Sequence, residues 1–198
     1  MSIIIGIVNY GIAGNIHSIK KAVEKAGATV LIINDPAQFN KIDKLIIPGV
    51  GSFKDAMSEL ESDNFITPLQ NFSKPILGIC LGMQILSTLG YEYGRTAGLS
   101  LIDAEVKEIL CDGQVPHMGF NTIDVVNNNK LLEGLEDASF YFMHSFEMIN
   151  YTDITTLTSY AGHQFVSSIH KNNIYGVQFH PEKSREAGIT LFKNFIAL

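Results

Sequence analysis

Apolar runs alternate with glycine- and proline-marked turns along the first half of the chain. Residues 3–8 (Ile-Ile-Ile-Gly-Ile-Val) are continuously apolar, as expected of a parallel strand buried on both faces. Asn9-Tyr10-Gly11 turns the chain, and Ile16, Ile19, Val23 and Ala26 recur at helical spacing up to Gly27. Val30 to Ile33 predicts a second strand, and Leu45 to Ile47 a third that Pro48 stops. Ser52 is a good N-cap for a helix over 52–61, with Asp55 three residues on. Another helical stretch and Pro75 lead to the short run 76–79, after which Leu81, Ile85 and Leu89 predict a helix. The order β-α-β-β-α-β-α predicts an α/β fold, an open, mostly parallel sheet with helices on both faces.

The second half changes character. Residues 102–110, 121–126, 139–142, 154–160, 164–170 and 173–179 are short stretches rich in branched and aromatic residues, separated by Asn, Asp and Gly. They predict antiparallel ribbons attached to the parallel sheet. Ser184 then opens a final helix carrying Ile189, Leu191, Phe192, Phe195 and Ile196. No repeat or flexible linker interrupts the pattern, so a single domain over 1–198 is expected.

Composition narrows the function classes. Hydrophobic residues make up 46% and charged residues 17%, the balance of a folded globular chain rather than a disordered one. The formal charge of −6, without any lysine or arginine cluster, argues against a nucleic-acid surface. No stretch approaches the ~20 apolar residues of a membrane span, and Met1 to Val8 is too short for a secretory h-region. Cys80 and Cys111 could form at most one disulfide, so a reducing cytoplasmic location is expected.

Gly78-Ile79-Cys80-Leu81-Gly82 carries the first chemical signal. A cysteine framed by glycines between a strand and a helix is the thiol counterpart of the nucleophile elbow, whose sharp turn exposes one side chain at the top of a sheet. A helix N-terminus behind Cys80 would favour its thiolate. A buried structural cysteine fits the same residues until a base is found. Of six histidines, His180 is the best placed: it follows the run 174–179, and Pro181 biases it towards an extended conformation. Glu182 lies two residues on, where an extended chain points both side chains the same way, so its carboxylate could orient the imidazole. A turn histidine is the bland alternative. A second oxyanion donor beside the backbone N–H of Leu81 is available in Pro48-Gly49-Val50-Gly51, at Val50, although such glycines also serve a plain strand-to-helix turn. No Cys or His stands at ligand spacing from Cys80 or His180, so neither a metal nor a cofactor is expected.

Taken together, these stretches make the chain resemble a class I, triad-type glutamine amidotransferase domain over its whole length. Within that family it resembles the glutaminase subunits of imidazole glycerol phosphate synthase. The residues that carry the likeness are Asn9-Tyr10-Gly11 with Gly14-Asn15 and Ser18, the 48–53 and 78–84 segments, Pro116-His117-Met118-Gly119, 141–146 and 176–184. The resemblance implies a flavodoxin-like sheet and hydrolysis of glutamine to glutamate and ammonia through a Cys80 thioester. His180 would be the base and acid, Glu182 its orienting partner, and Val50 and Leu81 the oxyanion donors. Gly49, Gly51, Gln84, Glu92, Ser145 and Phe146 would line the glutamine site, Glu92 on the loosest match.

The resemblance also implies a heterodimer with a (β/α)₈-barrel cyclase of the HisF type, which receives the ammonia. Asn9, Tyr10, Asn15, Met118, Phe120, Tyr141 and Lys183 would contact that partner or gate ammonia passage, although each could be ordinary surface or core. Independently, every segment is used in building the glutaminase, which leaves no acceptor domain. The family's usual tryptophan after Pro-His-Met-Gly is here Phe120, which keeps the bulk and loses the indole N–H. That departure leaves room for a paralogous glutaminase serving amidination of surface sugars. A stand-alone cysteine hydrolase or peptidase of related fold shares the elbow but gives no reason for the Asn9 and Met118 stretches.

Overall fold

The computed structural model describes residues 3–11, 15–149 and 151–198; Gly14 therefore lies outside the described residues. In chain order, β1 (Ile4–Val8) leads to α1 (Ile16–Ala26), β2 (Thr29–Ile33) and β3 (Lys44–Ile47). Next come α2 (Phe53–Ser62), α3 (Ile66–Gln70), β4 (Ile76–Ile79) and the single turn α4 (Leu81–Gln84). The strands β5 (Leu89–Gly90), β6 (Thr96–Ala97), β7 (Glu105–Glu108), β8 (His117–Thr122), β9 (Asp124–Val125), β10 (Ser139–His144) and β11 (Phe146–Ile149) follow. The chain finishes with β12 (Ile154–Tyr160), β13 (His163–Lys171), β14 (Ile174–Val177) and α5 (Arg185–Ala197).

Eight strands form one sheet in the order β2-β1-β3-β4-β14-β13-β12-β9. Pairing is parallel from β2 through β14 and antiparallel from there to β9. The apolar runs explain the parallel half, because alternate residues of one strand feed two cores. Leu45 and Ile47 pack with Phe53, Leu60 and Leu69 on one face, whereas Ile46 packs with Ile5, Ile19, Val23 and Phe192 on the other. Local caps set the helix ends as expected: Ser52 Oγ accepts the Asp55 N–H at 3.2 Å, and Gly27 ends α1 at φ 110°.

The second half departs from the sequence expectation in detail. The helix predicted through Leu89 stops at Gln84, and Leu89 lies in β5. The carbonyls of Ile85, Leu86 and Ser87, which a longer helix would need, accept instead from Leu99 (2.8 Å), Ile102 (2.9 Å) and Ser100 (2.9 Å). The run 121–126 divides, so that β8 pairs with β10 as a separate ribbon while β9 joins the main sheet. The run 102–110 narrows to β7, which joins β5, β6 and the unanticipated β11 in a four-stranded sheet. Among the described residues, no helix is long and apolar enough to cross a membrane.

Candidate active site

The carboxyl ends of β1, β3, β4 and β14 meet at one edge of the parallel sheet, where such folds hold their ligands. Cys80 stands at the end of β4 with φ 54° and ψ −112°, a left-handed conformation that costs a non-glycine residue ~1–3 kcal/mol. Its own N–H is fixed to Val177 O of β14 at 2.8 Å. The flanking glycines are required by space rather than by φ. A Cβ on Gly78 would stand 2.6 Å from Gly82 O, and one on Gly82 would stand 1.9 Å from Ile47 O. Since α4 has only four residues, its dipole is small, and the helix acts on Cys80 through its free N–H groups.

His180 follows β14 and is held from three sides. Its N–H donates to Tyr141 O at 2.8 Å, Ser184 Oγ donates to its carbonyl at 2.6 Å, and the same Oγ accepts the Tyr141 N–H at 2.9 Å. The backbone at His180 is extended (φ −104°, ψ 94°), but Pro181–Lys183 forms a 3-10 turn instead of the extended chain that would align Glu182 by alternation. The turn delivers the carboxylate all the same: Glu182 Oε1 lies 2.9 Å from His180 Nδ1, and both side chains are closed to solvent. This places the proton on Nδ1 and leaves Nε2 without a well-aligned hydrogen-bond partner. Burial by itself would lower the His180 pKa. Hydrogen bonding and charge from Cys80 and Glu182 outweigh it, and His180 is pushed up to about 10.

A cleft of about 170 Å³ opens over this pair, lined by Cys80, Leu81, His180, Val50, Gly51, Gln84, Glu92, Ser145 and Phe146, together with Pro116, Met143 and His144. Gly49 does not line it and serves the packing beneath, where its Cβ would stand 2.6 Å from Gly82 N. Neither the Val50 N–H nor the Leu81 N–H makes a hydrogen bond among the described residues, and both residues line the cleft with Cys80. Tyr10 anchors this loop by donating its hydroxyl to Pro48 O at 2.5 Å. Glu92 accepts the Phe53 N–H at 2.7 Å with Oε2. Desolvation raises its pKa against the lowering effect of that bond.

Two groups of residues gain roles that sequence reasoning did not assign. Gln178, fully buried, places its Nε2 3.7 Å from Cys80 Sγ. His144 contacts Phe146 O through Nδ1 at 2.9 Å and His117 Nδ1 through Nε2 at 3.3 Å. Because a carbonyl can only accept, the His144 proton sits on Nδ1, and His117 donates to Nε2. Desolvation holds His144 down at about 3 and lowers His117 too. The signal available in the sequence was the pair of histidines flanking two aromatic-rich strands, without any indication that they touch.

The seven residues expected at a partner surface divide. Met118 and Phe120 are exposed, Phe120 stacks edge-on to Tyr141 at 5.6 Å, and Lys183 Nζ lies 5.5 Å from the Tyr141 ring. Asn9 is exposed and donates to Asn34 Oδ1 at 2.7 Å. Tyr10 and Asn15 are instead buried within this chain. Asn15 Nδ2 donates to Glu182 Oε1 at 3.1 Å, which places it behind the His180–Glu182 pair. Cys80 and Cys111 are both free thiols, and among the described residues no group of three or more His, Cys, Asp or Glu is arranged to hold a metal.

Comparison with known proteins agrees with this geometry. The family model described as glutamine amidotransferase class-I matches residues 7–198. Imidazole glycerol phosphate synthase subunit HisH 1 of Campylobacter jejuni (strain RM1221) is 43% identical, covering 98% of this chain and 100% of that protein. The HisH protein of Methanothermobacter thermautotrophicus is 40% identical, covering 98% of each. Among solved structures, a Thermoplasma acidophilum protein described as a GMP synthase component superposes with TM-score 0.78 at 22% identity, covering 100% of this chain and 94% of that one. PurLQS from Thermotoga maritima gives 0.74 at 16% identity, covering 100% and 99%, and these two likenesses speak to fold alone. With a family match across almost its whole length and relatives at 40 to 43% identity, the chain belongs to the class-I glutamine amidotransferase family, in its HisH group.

Proposed function

We propose that this chain, a single cytoplasmic domain, hydrolyses the side-chain amide of glutamine on Cys80 and passes the ammonia to a separate (β/α)₈-barrel cyclase, as the glutaminase of imidazole glycerol phosphate synthase in histidine biosynthesis. The observation that carries this is the strained Cys80 elbow opening into the same cleft as the buried His180–Glu182 pair. The names of the relatives support the pathway and a partner protein.

The geometry supports the following sequence of steps. With its pKa pushed up to about 10, His180 already holds the Cys80 proton at Nε2 at neutral pH and the sulfur stands as a thiolate, while Glu182 accepts the other proton's hydrogen bond at Nδ1. Sulfur attacks the amide carbon, and the unspent N–H groups of Val50 and Leu81 receive the developing oxyanion. The imidazolium then protonates the leaving nitrogen as the C–N bond breaks, releasing ammonia and leaving the γ-glutamyl thioester. Water enters, gives a proton to Nε2 and attacks the thioester carbonyl; the C–S bond breaks, glutamate departs, and the thiolate is restored beside the imidazolium. Glu92, Gln84, Ser145 and Phe146 also line the cleft, and these are the residues that would meet the amino-acid end of glutamine.

The exposed Met118 and Phe120 lie on β8, whose partner strand β10 accepts the His180 N–H at Tyr141 O, so the proposed docking face is one ribbon away from the His180 backbone. Glutamate release by the purified chain is expected to rise on adding the barrel cyclase. Cys80→Ala is expected to abolish it, while synthesis from added ammonia survives. Met118→Asp is expected to weaken the stimulation and leave the fold intact. Full glutaminase activity in Cys80→Ala would defeat the reading, and indifference to the cyclase would remove the proposed partner.

A further inference from the structure

Two buried amides connect the glutamine cleft to the nucleophile. Gln84 Nε2 donates to Phe146 O at 2.9 Å and to Gln178 Oε1 at 3.0 Å, which spends both of its hydrogens. The Gln178 oxygen must therefore face Gln84, and its NH₂ must face Cys80 Sγ, at 3.7 Å. The sulfur's second neighbour of this kind is an acceptor, Met143 O, at 3.8 Å. A thiol can donate to that carbonyl, but a thiolate has only lone pairs to offer. Of these two neighbours only Gln178 favours the charged sulfur, in a site where Cys80 is 7% exposed and water gives it little help.

We propose that Gln178 is a further catalytic residue, donating a hydrogen bond to the Cys80 thiolate, and that the Gln84–Gln178 chain ties this donor to the Phe146 backbone of the substrate cleft. The proposal rests on the glutaminase reading of the site. It assigns Gln84 a second task, orienting Gln178, besides lining the cleft. The other titratable groups around the sulfur are His180 with Glu182 behind it, His144 and Glu92 lining the cleft, and the buried Tyr10.

The test is alkylation of Cys80 by iodoacetamide as a function of pH on the full chain, without glutamine, in wild type, Gln178→Met and Gln84→Met. Methionine keeps the length and removes the donor. In Gln178→Met the midpoint of the alkylation profile should move up by about one pH unit, equivalent to about a tenfold loss of thiolate at a pH below both midpoints. The kcat for glutamate release should fall by a similar factor, with KM changed much less. Gln84→Met should move the midpoint in the same direction and raise KM as well. A folded Gln178→Met, by circular dichroism, with an unmoved midpoint overturns the proposal. Should that variant not fold, an unmoved midpoint in Gln84→Met overturns it. Failure of the wild type with its cyclase to release glutamate from glutamine would strike the glutaminase reading, whereas the midpoint shift reports on the sulfur donor alone.

Discussion

Replacing Gly82 by alanine tests how closely the elbow is fitted to the oxyanion loop. The added Cβ would stand 1.9 Å from Ile47 O, 2.8 Å from Ile47 C and 3.0 Å from Pro48 O. To restore even a 3.0 Å contact, the elbow and the end of β3 must separate by about 1.1 Å. Neither side can yield by a side-chain rotation, because the obstructing atoms are backbone. Overpacking of this kind costs ~1–3 kcal/mol, which for a chain of this size lowers the melting temperature by about 2–12 °C. The larger effect falls on catalysis. The strand end that must move leads directly into Gly49-Val50, so the Val50 N–H shifts by about 1 Å relative to Cys80, enough to cost ~10²-fold in kcat. KM should change less, since Ser145 and Phe146 of the cleft lie on neither the elbow nor β3. Scanning calorimetry and glutamate release with the cyclase present measure both quantities. A Gly82→Ala protein that melts within 1 °C of wild type and retains half its kcat would refute the packing argument.

Three further perturbations follow from the site. Asn15→Ala removes a donor from Glu182, whose Oε2 already lacks a partner, and should lower kcat about tenfold with little change in KM; activity within twofold of wild type would show that the contact is idle. In Glu182→Gln, loss of the carboxylate lowers the His180 pKa from about 10, so the alkaline limb of kcat, where neutral His180 can no longer protonate leaving ammonia, should move to lower pH by a unit or more. An alkaline limb that stays in place would count against Glu182 as the source of the shift. His144 has a folded pKa of about 3 against 6.5 unfolded, so its contribution to stability is complete above pH 6.5 and is lost as pH falls towards 3, at ~1.4 kcal/mol per unit once well below 6.5. Urea unfolding at pH 7 and pH 5 should show a smaller acid loss in His144→Gln than in wild type, and equal losses would exclude the assignment.

Local signals carried much of the architecture. Continuous apolar runs, Ser52 as N-cap and Gly27 after α1 predicted the parallel half, since each depends on neighbours within a turn or a strand. Where the prediction failed, a distant segment had supplied the deciding hydrogen bonds. The spacing of Leu81, Ile85 and Leu89 is helical, yet the returning stretch 99–102 claims the carbonyls that would have continued the helix. Spacing likewise left Tyr10 and Asn15 open between partner contact, surface and core; both are buried, Tyr10 bonded to Pro48 O and Asn15 to Glu182 Oε1.

The sequence by itself determined which residues are the candidates for chemistry in this protein. A cysteine between close-packed glycines, and a histidine and glutamate on either side of a proline, are short-range patterns whose chemistry can be named before any fold is known. Only the tertiary structure decided how they are completed. Asn15 meets Glu182 across 167 positions, and Gln84 and Gln178 meet across 94. The parallel register that sets β4 against β14 brings Cys80 and Gln178 together, whereas the short turn at Pro181 brings Glu182 to His180. A buried polar group must find a partner wherever the packing allows, and strand order, which sequence spacing does not encode, chooses that partner.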